Sequence, residues 1–369
     1  MGKMMRCSAR AVVGAVAAAA MLATASAADW QAGAGPEWQK TLAAARAEGT
    51  VVVAGRGPME KPMAAAFKRD TGIDLEFLGG EGRAQVSRIE REMRSGQVTI
   101  DILFGGQTYV TYVNEGFMKP IKPQFVLPGV TAASNWVGGA MKWVDKEQQY
   151  MFIGGDYVFG WPVYNSDFVK PASLTSWKDL LKPEFKGKIA SYDPTNGPGQ
   201  AQSGFIIDAH GMDFFKQLYL GQQVKITRDS RQLMEWAARG VYPIVLGGLP
   251  VEIKRFRSAG IKSLVVADLP DGHGALLGGS SVVAEPKLAP HPNAAAVFLN
   301  WYASQPGQQV FSEVWETPSN RVDVTADVIP DFVKPKPGVA YIDQYTEDWY
   351  LNRFVASYSD AIVEAMGGH

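Results

Sequence analysis

Residues 50–106 read TVVVAGRGPMEKPMAAAFKRDTGIDLEFLGGEGRAQVSRIEREMRSGQVTIDILFGG. Val51–Ala54 is an apolar β-type run closed by Gly55, and Met59–Asp70 keeps helical spacing until Gly72 stops it. Ile73–Leu78 predicts a second strand. Arg83–Ser95 predicts a second helix, with Val86, Ile89 and Met93 at helical spacing, and Ile100–Phe104 a third strand. The order βαβαβ implies a parallel sheet with right-handed crossovers.

A second series follows a middle rich in Trp and Gly. Lys188–Ser191 and Ile244–Leu246 read as strands, and Gly199–His210, Asp229–Ala238 and Pro250–Ala259 as helices. Two longer extended segments, Tyr157–Tyr164 and Ala275–Ala284, run between the series. The expected fold class is therefore α/β, with two lobes of mostly parallel sheet flanked by helices and joined by hinge strands that allow a cleft to close. Residues 28–160 together with 278–313 form the first expected lobe and 161–277 the second. Residues 314–369 are a C-terminal extension of unassigned lobe, with a Pro-rich linker at Pro330–Gly338 and a last helix at Asp348–Met366.

Ahead of the first lobe, Lys3, Arg6 and Arg10 flank an uncharged run, Ala11–Ala23, which ends in Ala25-Ser26-Ala27. A positive start, a short apolar core and a small-x-small site make a secretory signal over residues 1–27, and the run is shorter than the ~20 residues of a membrane span. The expected location is the periplasm.

The chain has 369 residues, with 36 basic against 37 acidic side chains, one Cys and four His. That length accommodates about two domains. The charge balance argues against a nucleic-acid or polybasic membrane-surface partner. A single cysteine excludes a disulfide framework or thiolate metal cluster, and no HExxH spacing offers a metal centre. Loss of residues 1–27 removes that cysteine and three basic groups, so the formal charge moves from −1 to −4.

Every strand of the parallel series opens into a Gly-rich loop. These are Gly55-Arg56-Gly57-Pro58, Gly79-Gly80-Glu81-Gly82-Arg83 and Gly105-Gly106-Gln107-Thr108. The second series adds Asp193-Pro194-Thr195-Asn196-Gly197 and Gly247-Gly248-Leu249-Pro250. Ligands of open α/β sheets bind beyond the carboxyl ends of strands, where close backbone N–H groups and helix N-termini favour anions. Arg56 and Arg83 add donors suited to carboxylate or phosphonate oxygens; Glu81 is a local ion-pair partner for Arg83. Trp161 and Tyr164, on the first hinge segment, are expected to turn an aromatic face to the cleft. No nucleophile elbow, P-loop or dinucleotide fingerprint is present. No catalytic residue, cofactor or metal ligand is assigned, and Asp156, Asp193, Asp208 and Asp271 show no spacing that selects an acid–base pair.

The segment Ser176-Trp177-Lys178-Asp179-Leu180-Leu181-Lys182-Pro183-Glu184-Phe185-Lys186-Gly187-Lys188-Ile189-Ala190 resembles the extracellular solute-binding proteins of ABC transporters. So do the hinge strand ending Val163-Tyr164-Asn165 and the run Pro290–Trp301 followed by Gln305-Pro306-Gly307-Gln308. The similar branch includes binders of ferric iron, thiamine, polyamines and phosphonates. The resemblance implies a type 2 periplasmic-binding fold and a monomer that delivers a small solute to a membrane permease. It places ligand contacts at Arg56 and Gly57, Gly80 to Arg83 with Glu81, Gln107, Tyr164, Thr195, Asn196 and Gly197, and around Tyr242 to Gly248. Ferric members carry adjacent tyrosines after the strand written here Ile244–Leu246, where this chain has Gly247-Gly248-Leu249-Pro250. The favoured ligand is a small organic anion. The rivals are a sugar or polyol, a polyamine or a ferric chelate, a role presenting ligand to a sensor, and a secreted carboxylate-dependent hydrolase.

Overall fold

In the computed structural model, which describes residues 29–55, 60–79 and 82–367, the chain begins with α1 (Pro36–Glu48) and enters β1 (Thr50–Ala54). The expected signal segment lies outside the described residues. Val51, Val53 and Ala54 are fully buried, as in a central strand covered by helices on both faces. α2 (Glu60–Thr71) ends where Gly72, at φ 80°, donates its N–H to the Lys68 carbonyl. β2 (Asp74–Leu78) pairs parallel with one side of β1. α3 (Gly82–Ser95) then leads to β3 (Ile102–Gly105), which pairs parallel with the other side.

Short elements follow: α4 (Val110–Asn114), β4 (Met118–Lys119), α5 (Pro128–Thr131), β5 (Lys142–Trp143) and β6 (Phe152–Ile153). The chain leaves the first lobe through β7 (Tyr157–Phe159) and enters the second through β8 (Val163–Asn165). There β9 (Ile189–Tyr192), α6 (Gly197–His210), α7 (Met212–Lys216) and β10 (Lys225–Thr227) precede α8 (Ser230–Ala238), β11 (Ile244–Leu246), α9 (Pro250–Ser258) and β12 (Leu264–Val266). Asp229 caps α8 through the backbone N–H groups of Arg231 and Gln232. The second sheet has the order β10-β9-β11-β8-β12.

β13 (Ala275–Leu277) returns antiparallel to β7. β14 (Val282–Pro286) then completes the first sheet, whose order is β2-β1-β3-β14-β6-β5 with β4 also on β14. Each crossing segment is thus two strands, where a single extended one is expected from sequence. Gly160 at φ 104° and Pro162, which has no N–H for the ladder, break the first; Gly278 to Ser281 break the second. One half of each segment stays in a hinge sheet and the other joins a lobe. α10 (Pro292–Ala303) packs against α1, and α11 (Gln305–Trp315) follows it.

The C-terminal extension then wraps the hinge. Ile329 and Val333 join the second-lobe cluster around Val163 and Val245. β15 (Ile342–Asp343) adds to the hinge sheet, parallel to β13. The last helix starts as a π-helix over Asp348–Tyr358 before α12 (Ser359–Ala365), and Trp349, Phe354 and Ile362 sit in the core with Trp177 and Phe205. No helix among the described residues is long and apolar enough to cross a membrane.

Arg321 anchors the start of this wrap to the first lobe. Its nearly buried guanidinium donates to the carbonyls of Gly129 (2.9 Å) and Ala303 (3.0 Å), forks onto Asp323 and lies 5.3 Å from the Trp136 ring centre. Arg321→Met takes the guanidinium from the Ala303 carbonyl and from Asp323, while Gly129 O keeps the bond from Asn135 Nδ2 (2.8 Å), and urea denaturation is expected to show a loss of about 3 kcal/mol.

Candidate functional site: the interlobe cavity

A cavity of about 750 Å³ lies where the strand ends of both lobes meet the hinge, within the usual range for small-molecule sites. The first lobe supplies Gly55 after β1 and Gly105 to Tyr109 after β3. The second supplies Asn196 to Pro198, Gln200 and Ala201 at the start of α6, with Leu249 before α9. The hinge adds Tyr157, Phe159, Leu277, Gly279 and Ser280. The fourth wall is the C-terminal extension, through Gln344, Tyr345, Trp349 and Tyr350.

Local chemistry holds the α6 end of the cavity. Asp193 Oδ1 accepts from Thr195 N (2.9 Å) and Oγ1 (2.7 Å), and Oδ2 accepts from Arg228 Nε (2.6 Å). Burial opposes the charge of Asp193, yet these bonds from Thr195 and Arg228 hold its carboxyl below the usual carboxylate range. The turn they fix presents Asn196 as the helix cap and Gly197 at φ 48° as the first helical residue. Gln202, fully buried on α6, donates to Gly160 O (2.5 Å) and accepts from Gly247 N (3.0 Å). One side chain therefore ties the cavity helix to the hinge break and to the loop after β11.

Phenols crowd the opposite wall. Tyr345 donates its hydroxyl to Gly279 O (3.0 Å). Burial pushes Tyr157 up to about 12 and Tyr345 higher still, so both remain protonated at neutral pH. No Asp, Glu, Lys, Arg or His is among the described lining residues. Of the four aspartates that a hydrolase could recruit, none lines the cavity. Asp193 is engaged as above and Asp156 pairs with Lys142. Asp208 accepts from Trp349 and Tyr358, and Asp271 accepts from Ser176 and Trp177. No cluster of three or more His, Cys, Asp or Glu suited to a metal occurs among the described residues.

Of the residues singled out from sequence, Gln107, Asn196 and Gly197 meet at this cavity. Thr195 sits behind it, holding Asp193. Gly248 is buried one residue before the lining Leu249. Arg56, Gly57 and Glu81 fall outside the described residues; Arg83 is in the first turn of α3, its side chain outside them. Three placements differ from expectation. Trp161 is turned into the core, its ring centre 5.7 Å from Phe159 and 5.3 Å from Phe332, because the strand breaks at Gly160 and Phe332 covers the exposed side. Tyr164, buried in β8, borders a separate groove with Leu174 and Asp268. Tyr242 packs on Trp236 at 5.1 Å, away from the cavity. In place of these, Tyr109, Tyr157, Gln344, Tyr345, Trp349 and Tyr350 line it, and only Tyr157 lay in a stretch where aromatic density hinted at a site. Trp161→Ala is accordingly expected to cost about 3–5 kcal/mol in chemical denaturation while changing solute affinity less than threefold by titration.

A family model described as bacterial extracellular solute-binding protein matches residues 50–313. Among solved structures, the chain is similar to apo ferric ion-binding protein A of Pasteurella haemolytica, with a TM-score of 0.67 at 16% identity, covering 86% of this chain and 98% of that one. Iron-bound HitA from Pseudomonas aeruginosa matches with a TM-score of 0.59 at 17% identity, covering 79% and 89%. AfuA from Actinobacillus pleuropneumoniae, a periplasmic binding protein with fructose-6-phosphate bound, matches with a TM-score of 0.59 at 17% identity, covering 85% and 98%. At these identities the likeness is one of fold.

Proposed function

Because the chain belongs to the bacterial extracellular solute-binding proteins, we propose that it captures a small organic anion, of phosphonate or carboxylate type, between its lobes. It then delivers that solute, as a periplasmic monomer, to the permease of an ABC importer. The observation that carries the anion is the position of the cavity. It lies beyond the carboxyl ends of β1, β3 and β9 and against the N-terminus of the fourteen-residue α6, where the helix dipole favours negative charge, and no carboxylate is among its described lining residues. Gly55, which precedes Arg56 in sequence, and Ser87, one helical turn after Arg83, both line it. Micromolar affinity corresponds to about −8 kcal/mol, within reach of a few charge-assisted hydrogen bonds and lobe closure.

The fructose-6-phosphate of one fold neighbour is an anion of this general kind; the iron of another suits this chain less, since no carboxylate or imidazole is described beside its cavity phenols. A second reading, a neutral sugar or polyol, is favoured by the aromatic wall of Tyr345, Trp349 and Tyr350. Thermal-shift screening separates the two. A phosphonate or carboxylate at a hundredfold excess over Kd should raise Tm by about 3–5 °C. Stabilisation by neutral sugars or polyamines alone would remove the anion from the proposal, and turnover of the bound solute would remove the transport role.

A further inference from the structure

Gln344, at the hinge end of the C-terminal wall, is fully buried and lines the cavity. Its Nε2 donates to the Ala201 carbonyl at 3.1 Å, which fixes the orientation of the amide and leaves Oε1 as an acceptor. That Oε1 has no partner. Gln107, in the turn after β3, lines the same cavity and also carries a buried Oε1 without one. Neighbouring Tyr345 does not meet the need, because its hydroxyl already donates to Gly279. Buried acceptors are paired in nearly all native structures, and leaving one unpaired is costly enough that two at one cavity call for donors from outside the chain.

We infer that Gln344 and Gln107 select, within the proposed anion site, for solutes whose carbon body bears hydroxyl groups. The reading rests on the proposed site and deepens it: the anionic end lies toward α6, and the hydroxylated end lies between the two amide oxygens with its C–H faces against Tyr345 and Trp349. An anion without a hydroxyl leaves both oxygens unpaired on closure and is rejected for that reason. Gln107 lies within the residues matched by the family model and Gln344 beyond them, so the C-terminal extension supplies one of the two acceptors.

Titration calorimetry with two matched pairs tests it: ethylphosphonate against 2-hydroxyethylphosphonate, and propionate against 3-hydroxypropionate. The hydroxylated member of the pair that binds should bind the mature chain at least tenfold more tightly. Gln344→Met and Gln107→Met should each reduce that ratio to about threefold or less, because the plain anion then strands one buried amide oxygen fewer when the lobes close. A melting curve shows whether each variant is folded, and Gln107→Met carries the test if Gln344→Met is not. A wild-type protein that does not separate the pair, or a tenfold ratio that survives both substitutions, overturns the inference. So does a preference confined to 2-aminoethylphosphonate, which would mark recognition of a cation. If no anion binds but neutral ribitol does, the anion reading fails instead. Hydroxyl selection then stands if Gln344→Met weakens ribitol at least tenfold, and falls if it does not. Silence from every one of these solutes overturns both.

Discussion

Alanine at position 199 should abolish high-affinity solute capture, lowering affinity at least a hundredfold. Gly199 lies in the first turn of α6, and a Cβ there would be driven into the backbone carbonyl of Asp193, with the Tyr192 carbonyl oxygen 2.8 Å away. These are backbone atoms of a turn already fixed by Thr195 and Arg228, so the neighbour cannot yield as a flexible side chain would. The helix must move instead. Asn196 and Gly197 move with it, and the bonds that Gln202 makes to Gly160 and Gly247 are strained from the same end. Binding constellations tolerate only about half an ångström of misplacement, so the loss of affinity should exceed the loss of stability, put at about 2–3 kcal/mol. Calorimetry on Gly199→Ala beside Gly35→Ala, where a Cβ meets nothing within 4 Å, gives the comparison. Unchanged affinity in Gly199→Ala would show that α6 does not hold the solute.

The second large effect concerns the hinge. Lys142 Nζ lies 2.7 Å from Asp156 and 2.8 Å from Asp343, joining the first lobe, the approach to β7 and β15. One ammonium shared between two carboxylates only partly offsets the burial of Asp156, whose pKa is raised, while those carboxylates raise that of Lys142 against the effect of its own burial. Lys142→Met removes the cation and leaves Asp156 buried against Asp343. A cost of about 3–5 kcal/mol is expected at pH 7.5. The sign with pH follows from linkage: the native state of the variant holds the Asp156 proton more tightly than the unfolded chain does. Stability relative to wild type is therefore lost as pH rises from about 4 through the raised pKa, and recovered as pH falls again. Urea denaturation at several pH values checks this. A deficit that does not shrink on acidification would mean that the loss comes from packing around the Lys142 stem rather than from stranded charge.

Local signals explain which parts of the molecule were legible in advance. β11 matches its expected bounds because Ile244–Leu246 is an apolar run closed by Gly247, and the ends of α2 and the cap of α8 are written in Gly72 and Asp229. The parallel order of β1, β2 and β3 follows from the alternation of elements. The break in each crossing strand was marked by Gly160, Pro162 and Gly278 to Ser281, but periodicity does not say which sheet each half joins. Trp161 illustrates the limit: its direction is decided by Phe332, a contact across more than 170 residues. Half of the cavity was readable from the rule that loops after parallel strands bind ligands, which reached Gln107, Asn196 and Gly197. Gln344, Tyr345, Trp349 and Tyr350 were beyond that rule, because they arrive on a segment that leaves the second lobe, passes through the first and returns by way of the hinge. No local pattern records that route.

The route also has a consequence for timing. Leu103 on β3 waits for Ala284 on β14, which lies beyond the entire second lobe, and the cavity waits longer still, for Tyr350. A polypeptide made from its N-terminus therefore carries an open sheet edge through about half of its length, and such an edge is a template for wrong pairing until its partner arrives. Folding dominated by contacts this distant along the chain is slow. The same delay means that the cavity lacks its fourth wall until late: it is enclosed only when Gln344, Tyr345, Trp349 and Tyr350 have taken their place against residues made about 150 to 290 positions earlier.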